Sequence, residues 1–331
     1  MAIGIGRREF ISAIASAMAT TALPVPLRAQ QAGRIWRVGM LETVSAARKP
    51  NDIAAFRQGL QALGYVEGQN LKIEYRSADG RPERFPELAQ ELVGLKVDLI
   101  TTRGTPAAFA AKDATSTIPI VMAAIAEPLL VVASLAHPGG NITGLSAVVT
   151  DLTAKRAEIL RDLIPGLSSV GALLNMSNGS QPSQWADIQQ AARTYSMQSQ
   201  LFDVRKAADL SSAFDAASQQ HIGAFIVGID ALTQANQDLI IQLAVKHRLP
   251  AIYPSREFVD AGGLITYGVN YPDLYRRAAT FVDKVLKGAK PAELPVEEPT
   301  KLEMIVNHKA AKALGLAIPP AILLRADEVI E

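Results

Sequence analysis

HPGGNITGLS, His137 to Ser146, lies near the middle of a chain of 331 residues and contains almost nothing that could do covalent chemistry. A proline and two glycines precede an asparagine, a threonine and a third glycine. On its own such a stretch also suits a surface turn before a strand. Its setting favours a different reading, because long blocks of helix-and-strand pattern flank it on both sides. The stretch is expected to lead into a crossing between two lobes that close on a small molecule.

On the N-terminal side, β-rich runs alternate with amphipathic helices. Ile35 to Leu41 opens as a strand, and AAFRQGLQALGY follows with Ala55, Leu60 and Leu63 at helical spacing before Gly64. LKIEYR, ERFPELAQELVGL, VDLITT, PAAFAAKDAT and IPIVMA continue the alternation. Strands joined by helical crossovers form a mainly parallel sheet covered on both faces. Beyond Ser146 the rhythm restarts with LTAKRAEILRDLI and VGALLN and runs to PAIY, ending at Tyr253, at a similar length. The pattern predicts an α/β protein of two doubly wound parallel-sheet lobes joined by three crossings. Lobe 1 is expected over 34–145 plus 269–293 and lobe 2 over 146–262 plus 299–331. Gly-rich GGLITYG and Pro-rich ELPVEEP place the return hinges at 263–268 and 294–298. Glycine suits a hinge because it absorbs changes in φ and ψ that branched residues resist.

Composition narrows the function. Residues are 49% hydrophobic and 20% charged, and the net charge of +1 comes without a dense basic run, which disfavours nucleic acid. There is no cysteine, which excludes disulfides, thiol catalysis, thiolate metal sites and a cysteine-linked lipid anchor. At the N-terminus, Arg7-Arg8 precede an apolar, Ala-rich stretch from Phe10 to Leu23, then prolines and Leu-Arg-Ala. Residues 1–29 therefore predict an export signal cleaved after Ala29. Phe and Ile after the arginine pair give it a twin-arginine character, while the lack of a following Lys leaves the general secretion route open. The expected location is the periplasm, as a free monomer.

Enzyme signatures are scarce. The four histidines are far apart, no HExxH pair or P-loop occurs, and the Gly4–Gly6 pair lacks a preceding strand. No Gly-x-Ser-x-Gly elbow appears. No metal, cofactor or catalytic residue is predicted. In open parallel sheets ligands bind beyond the carboxyl ends of the strands, which selects Glu42, Gly104 with Thr105, and Glu127 in the first block. In the second block it selects Asn175, Asp230 and Tyr253, with Tyr267 on the crossing strand. Thr105 reads as an N-cap whose neighbouring amides suit a carboxylate, and Asp230 or Glu127 suits an ammonium group. Each residue also has a plain structural role open to it: Thr105 and Asp230 as helix caps, Tyr253 as core.

Several long segments carry a family likeness. FRQGLQALGYVEGQNLKIEYR, GTPAAFAAKDATSTIPIVMA, ASLAHPGGNITGLS, REFVDAGGLITYG and RRAATFVDKVLKGAKPAELPVEEPTKLEMIVNHKAAKALGL resemble the ABC-transporter substrate-binding proteins of the tryptophan/tyrosine-binding-like group, over essentially all of the mature chain. The resemblance implies a type I periplasmic-binding fold and a ligand trapped by hinge closure. It further implies delivery to an inner-membrane ABC permease and no chemistry of its own. By position it lines the cleft with Glu42, Gly104, Thr105 and Glu127 on one side and Asn175, Asp230 and Tyr253 on the other, with Tyr267 near the hinge. The chain departs from the group after its fourth strand, where AIAEPLLVV puts Glu127 and the bulky Leu129 and Leu130 in place of a short acidic-Pro-small-Gly loop. A small polar or amino-acid-like solute is the expected ligand. A racemase or isomerase using Glu127 and Asp230 as acid and base, and a sensory binding module, are the competing classes.

Overall fold

The computed structural model describes residues 34–147 and 150–331; the predicted export signal lies outside them. Two sheets organise the described residues. The first contains β1 (Trp36–Glu42), β2 (Leu71–Ser77), β3 (Leu99–Arg103), β4 (Ile120–Ile125) and β5 (Ile142–Ser146), all parallel, in the order β2-β1-β3-β4-β5. The second contains β6 (Ser169–Leu174), β7 (Gln198–Asp203), β8 (Ala224–Val227), β9 (Ala251–Tyr253), β10 (Ile265–Val269), β11 (Leu302–Asn307) and β12 (Glu328–Ile330). Its order β7-β6-β8-β9-β10 repeats the winding of the first sheet, and β11 and β12 extend it. This sheet is not purely parallel, because β11 runs antiparallel to β10: the chain re-enters after an excursion through the other lobe, so no right-handed crossover dictates its direction.

Strand alternation explains why both faces are covered. In β1, Val38 and Met40 face a core with Phe56 and Leu60 of α1 (Pro50–Ala62) and Tyr275, Phe281 and Val282 of α10 (Tyr271–Leu286). Leu41 faces the opposite core, with Phe85, Leu88 and Leu92 of α2 (Phe85–Gly94) and Ala107 and Ala111 of α3 (Thr105–Ala114). In β6, Val170, Ala172 and Leu174 pack on Leu160 of α4 (Thr150–Leu163) and Ile188 of α5 (Gln181–Thr194), while Leu173 turns to Phe214 of α6 (Asp209–Gln219). Each fully buried Leu or Phe contributes about 1.5–3 kcal/mol, so each lobe has two apolar layers of its own.

The chain passes between the sheets three times. It crosses between Ser146, the end of β5, and the start of α4, leaves β10 at Val269–Asn270 for α10, and returns through residues 298–301 to β11. Residues 265–269 all pair with β11, and Ile265 and Thr266 pair with β9 as well, so the chain is still within the second sheet there and that return lies just after the 263–268 segment. Glu297 is still bonded to the first sheet, its N–H donating to Gly144 O at 3.0 Å while its O accepts from Ser146 N at 2.9 Å, which moves the last crossing beyond it. Of the glycines of HPGGNITGLS, Gly139 and Gly140 serve a turn at φ +70° and +67°, whereas Gly144 answers to close packing. Gly144 is inside β5 at φ +132°, and a Cβ there would sit 2.2 Å from Met122 O.

Two short helices follow strand ends in the second lobe: α7 (Ala231–Ala235) after β8 and α9 (Arg256–Asp260) after β9, with α8 (Gln237–Lys246) between them. Sequence periodicity predicts one helix from Leu232 to His247. It is broken at Asn236, whose side chain donates to Leu232 O at 2.8 Å.

Candidate functional site: a cleft between the strand ends

Winding of the form 2-1-3-4-5 splits two neighbouring strands whose crossovers leave in opposite directions, and the crevice at their carboxyl ends is the natural ligand position. In the first lobe that point lies between β1 and β3, so Thr43 and the run Arg103-Gly104-Thr105 border it. In the second it lies between β6 and β8, so Asn175 to Ser180 and Ile229 to Asp230 border it. These two switch points face each other across a narrow cleft lined from both lobes, the position at which such folds take a small ligand.

The first lobe lines the cleft with Thr43, Phe85, Arg103, Gly104, Thr105 and Pro106, joined by Ala124, Ala126, Ala147 and Tyr271; the second with Asn178, Ser180, Ile229, Asp230, Ala231 and Gln234. Gly104, at φ +82°, is the N-cap of α3, so Thr105 is the first helical residue rather than the cap expected from sequence. This frees its side chain: Thr105 Oγ1 is buried and has no partner, beside a helix N-terminus whose amides favour an anion. Next to it, Arg103 is buried with Nη1 donating to Asp52 Oδ2 at 2.8 Å and its guanidinium 4.1 Å over the Tyr271 ring. Its Nη2 has no partner. Across the cleft Asp230 caps α7 and is buried, and only neutral groups donate to it. Oδ1 accepts from Asn175 Nδ2 at 3.0 Å and Leu232 N at 2.8 Å, and Oδ2 accepts from Asn178 Nδ2 at 2.8 Å.

The remaining sequence-selected residues stand back from this cleft. Glu42 is buried behind Thr43, accepting from Tyr275 Oη at 2.6 Å with Lys49 Nζ 3.8 Å away. Asn175 supports Asp230 and is not itself a lining residue. Tyr253 belongs to the second-lobe core, stacked on Phe258 at 5.1 Å, and burial pushes its phenol pKa up. Tyr267 packs between both cores, its carbonyl accepting from Arg156 Nε at 2.8 Å. Glu127 precedes a 3-10 turn, not a helix, and accepts from Ser183 of α5. Burial raises its pKa, opposed by the Ser183 bond and reinforced by Asp187. Arg103, Tyr271 and Gln234 were not selected from sequence. Gln234 carried a signal, since it lies one turn into the helix that Asp230 caps.

A polar, two-sided cleft with one buried carboxylate facing a helix N-terminus defines a small-molecule binding protein of the type I periplasmic fold. The chain belongs to the ABC transporter substrate binding protein family, which it matches over residues 37–330; this is a family of binding proteins, not enzymes. It is 29% identical over 266 residues to a tyrosine-binding protein of Clostridioides difficile (strain R20291), covering 79% of this chain and 75% of that one. Among solved structures it is similar to an ABC domain from Streptococcus pneumoniae in complex with L-Trp, at 27% identity and TM-score 0.83, covering 89% of this chain and all of that one. A conserved domain protein from Vibrio cholerae gives the same identity, coverage and TM-score. Among the described residues no helix is long and apolar enough to cross a membrane, and no group of three His, Cys, Asp or Glu could hold a metal ion.

Proposed function

We propose that the protein is the periplasmic solute-binding component of an ABC importer, that its ligand is an α-amino acid with an apolar, aromatic-sized side chain, and that an inner-membrane permease receives it. One observation carries the reading. The cleft places a buried carboxylate without a cation, Asp230, opposite two buried donors without acceptors, Thr105 Oγ1 and Arg103 Nη2. A zwitterion satisfies both sides, with its ammonium on Asp230 and its carboxylate at the start of α3. Phe85, Pro106, Ile229 and Tyr271 supply apolar surface for the side chain. The ligands named for the relatives, tyrosine and L-Trp, support this class.

Capture works by linkage. The ligand touches both walls only when they are apposed, so its differential affinity shifts the population towards the closed form. The two lobes turn about the three crossings, and residues 1–29 direct export. Glu127 lies outside the cleft lining, so the acid–base pairing that a racemase needs has no geometric support. Thermal-shift screening of ligand-stripped protein against the proteinogenic amino acids tests the reading: L-Trp or L-Tyr should raise the melting temperature by mass action, whereas the absence of any amino-acid hit would refute it.

A further inference from the structure

Thr43 and Gln234 line the cleft from opposite lobes, and behind their contact lies a side chain that the cleft itself does not reach. Lys49, immediately before α1, is only 2% exposed. Its Nζ donates to Thr43 Oγ1 at 2.8 Å and to Gln234 Oε1 at 3.3 Å, while the Thr43 hydroxyl donates to the same Gln234 oxygen at 2.8 Å. The glutamine orientation is dictated by chemistry, since an ammonium has no lone pair to offer and only the carbonyl can face it. Two of the three edges of this triangle join the lobes.

Charge gives the triangle its direction. On the first lobe Glu42, Asp52 and Arg103 surround Lys49; from the second lobe Glu257 of α9 faces it across a small chamber that also touches Arg48, Gln234 and Ser255. Ser255 Oγ and Glu257 Oε2 are buried there without partners. Apposing the lobes therefore brings a third carboxylate against two others; without Lys49, Arg103 would be the one buried cation left among them, since Arg48 at the chamber's edge is paired with Asp238. Burial pulls the ammonium's pKa down, Arg103 adds to this, and Glu42, Asp52 and Glu257 oppose it. Removing one member of such a buried set leaves the others uncompensated.

We propose that Lys49 is a positioning residue that clasps the two lobes, holding Thr43 and Gln234 in register so that the cleft walls meet. The inference rests on the lobe-closure reading but not on the identity of the ligand. Its test exploits the lack of cysteine. Arg48 and Asp238 are exposed and meet across the lobes at 3.2 Å, so an Arg48→Cys/Asp238→Cys pair, joined by a short bis-methanethiosulfonate linker, reports the closed population without any added ligand. In that background Lys49→Met should slow trapping by about fivefold or more, as should Gln234→Met on the opposite lobe, and the combination should do little more than either alone because both break one unit. Trapping within about twofold of the parent in either variant, or additive effects, would overturn the clasp. Should Lys49→Met fail to fold, the Gln234→Met result decides. Adding L-tryptophan is a separate arm: acceleration reports on the amino-acid reading, and its absence would count against that reading while leaving the ligand-free comparison intact.

Discussion

Replacing Asp230 by Asn removes one charge and changes almost no volume, and the surrounding bonds allow its cost to be worked out. One carboxylate oxygen becomes an amide NH2. Oriented to keep the bonds from Asn175 and Leu232 N, the new NH2 points at the Asn178 NH2, donor against donor. Asn178 cannot turn to accommodate it, because its own Oδ1 already accepts from Ser180 N at 3.2 Å and Ser180 Oγ at 3.0 Å. The ligand-free protein should thus lose about 1–3 kcal/mol for one broken buried bond and keep its helix cap. The bound ammonium, in a site where Asp230 is 5% exposed, loses its counter-charge as well, for about 2 kcal/mol or more, or about 30-fold in Kd. Titration calorimetry with L-tryptophan and with indole-3-propionate separates the two costs, since the second keeps the ring and carboxylate but lacks the amine. Asp230→Asn should weaken L-tryptophan by that factor and leave indole-3-propionate nearly unchanged. Equal losses for both ligands, or an unchanged L-tryptophan Kd in a folded variant, would refute the assignment of Asp230 to the amine.

Thr105→Val should weaken amino-acid binding by about tenfold, the value of a hydrogen bond to a charged group. The ligand-free melting temperature should hold, because Thr105 Oγ1 has no partner to lose; a stability loss without an affinity loss would contradict this. Gly80→Val should obstruct apposition of the lobes, since an added Cβ would lie 2.3 Å from Ala235 Cβ and 3.1 Å from Ala231 O. Titration should show weakened affinity for any ligand that needs closure, and unaltered affinity would show that this contact yields easily. Burial raises the Glu127 carboxyl pKa in the folded protein, so the folded state holds that proton more tightly than the unfolded one. The associated stability is present below the unfolded pKa and lost as pH rises through the folded value. Glu127→Gln should accordingly gain melting temperature relative to the parent at pH 8 and lose that advantage at pH 4; a pH-independent difference would dismiss the effect.

The rhythm of β-rich and amphipathic segments made the two-sheet architecture legible, because parallel strands buried on both faces leave near-continuous apolar runs such as Ile120 to Ile125. What stayed hidden depends on long-range geometry. The antiparallel entry of β11 follows from the chain's excursion through the first lobe, and the break at Asn236 follows from a side-chain bond that periodicity does not register. At the cleft, the rule of strand carboxyl ends brought out Gly104, Thr105 and Asp230, all of which line it. The same rule drew in Glu42 and Asn175, which lie one step behind, and Tyr253, whose ring turns into the core, since the rule locates a backbone position and not a side-chain direction. Arg103 ends a strand otherwise read as buried, and Tyr271 opens a helix beyond a crossing, so nothing local marked either.

Small-angle scattering of the ligand-stripped protein, before and after saturation with L-tryptophan, tests the central idea of capture between two lobes most directly. The radius of gyration should be smaller in the saturated sample, as Thr105 and Asp230 come to share one ligand. Saturable binding with an unchanged scattering profile would contradict it.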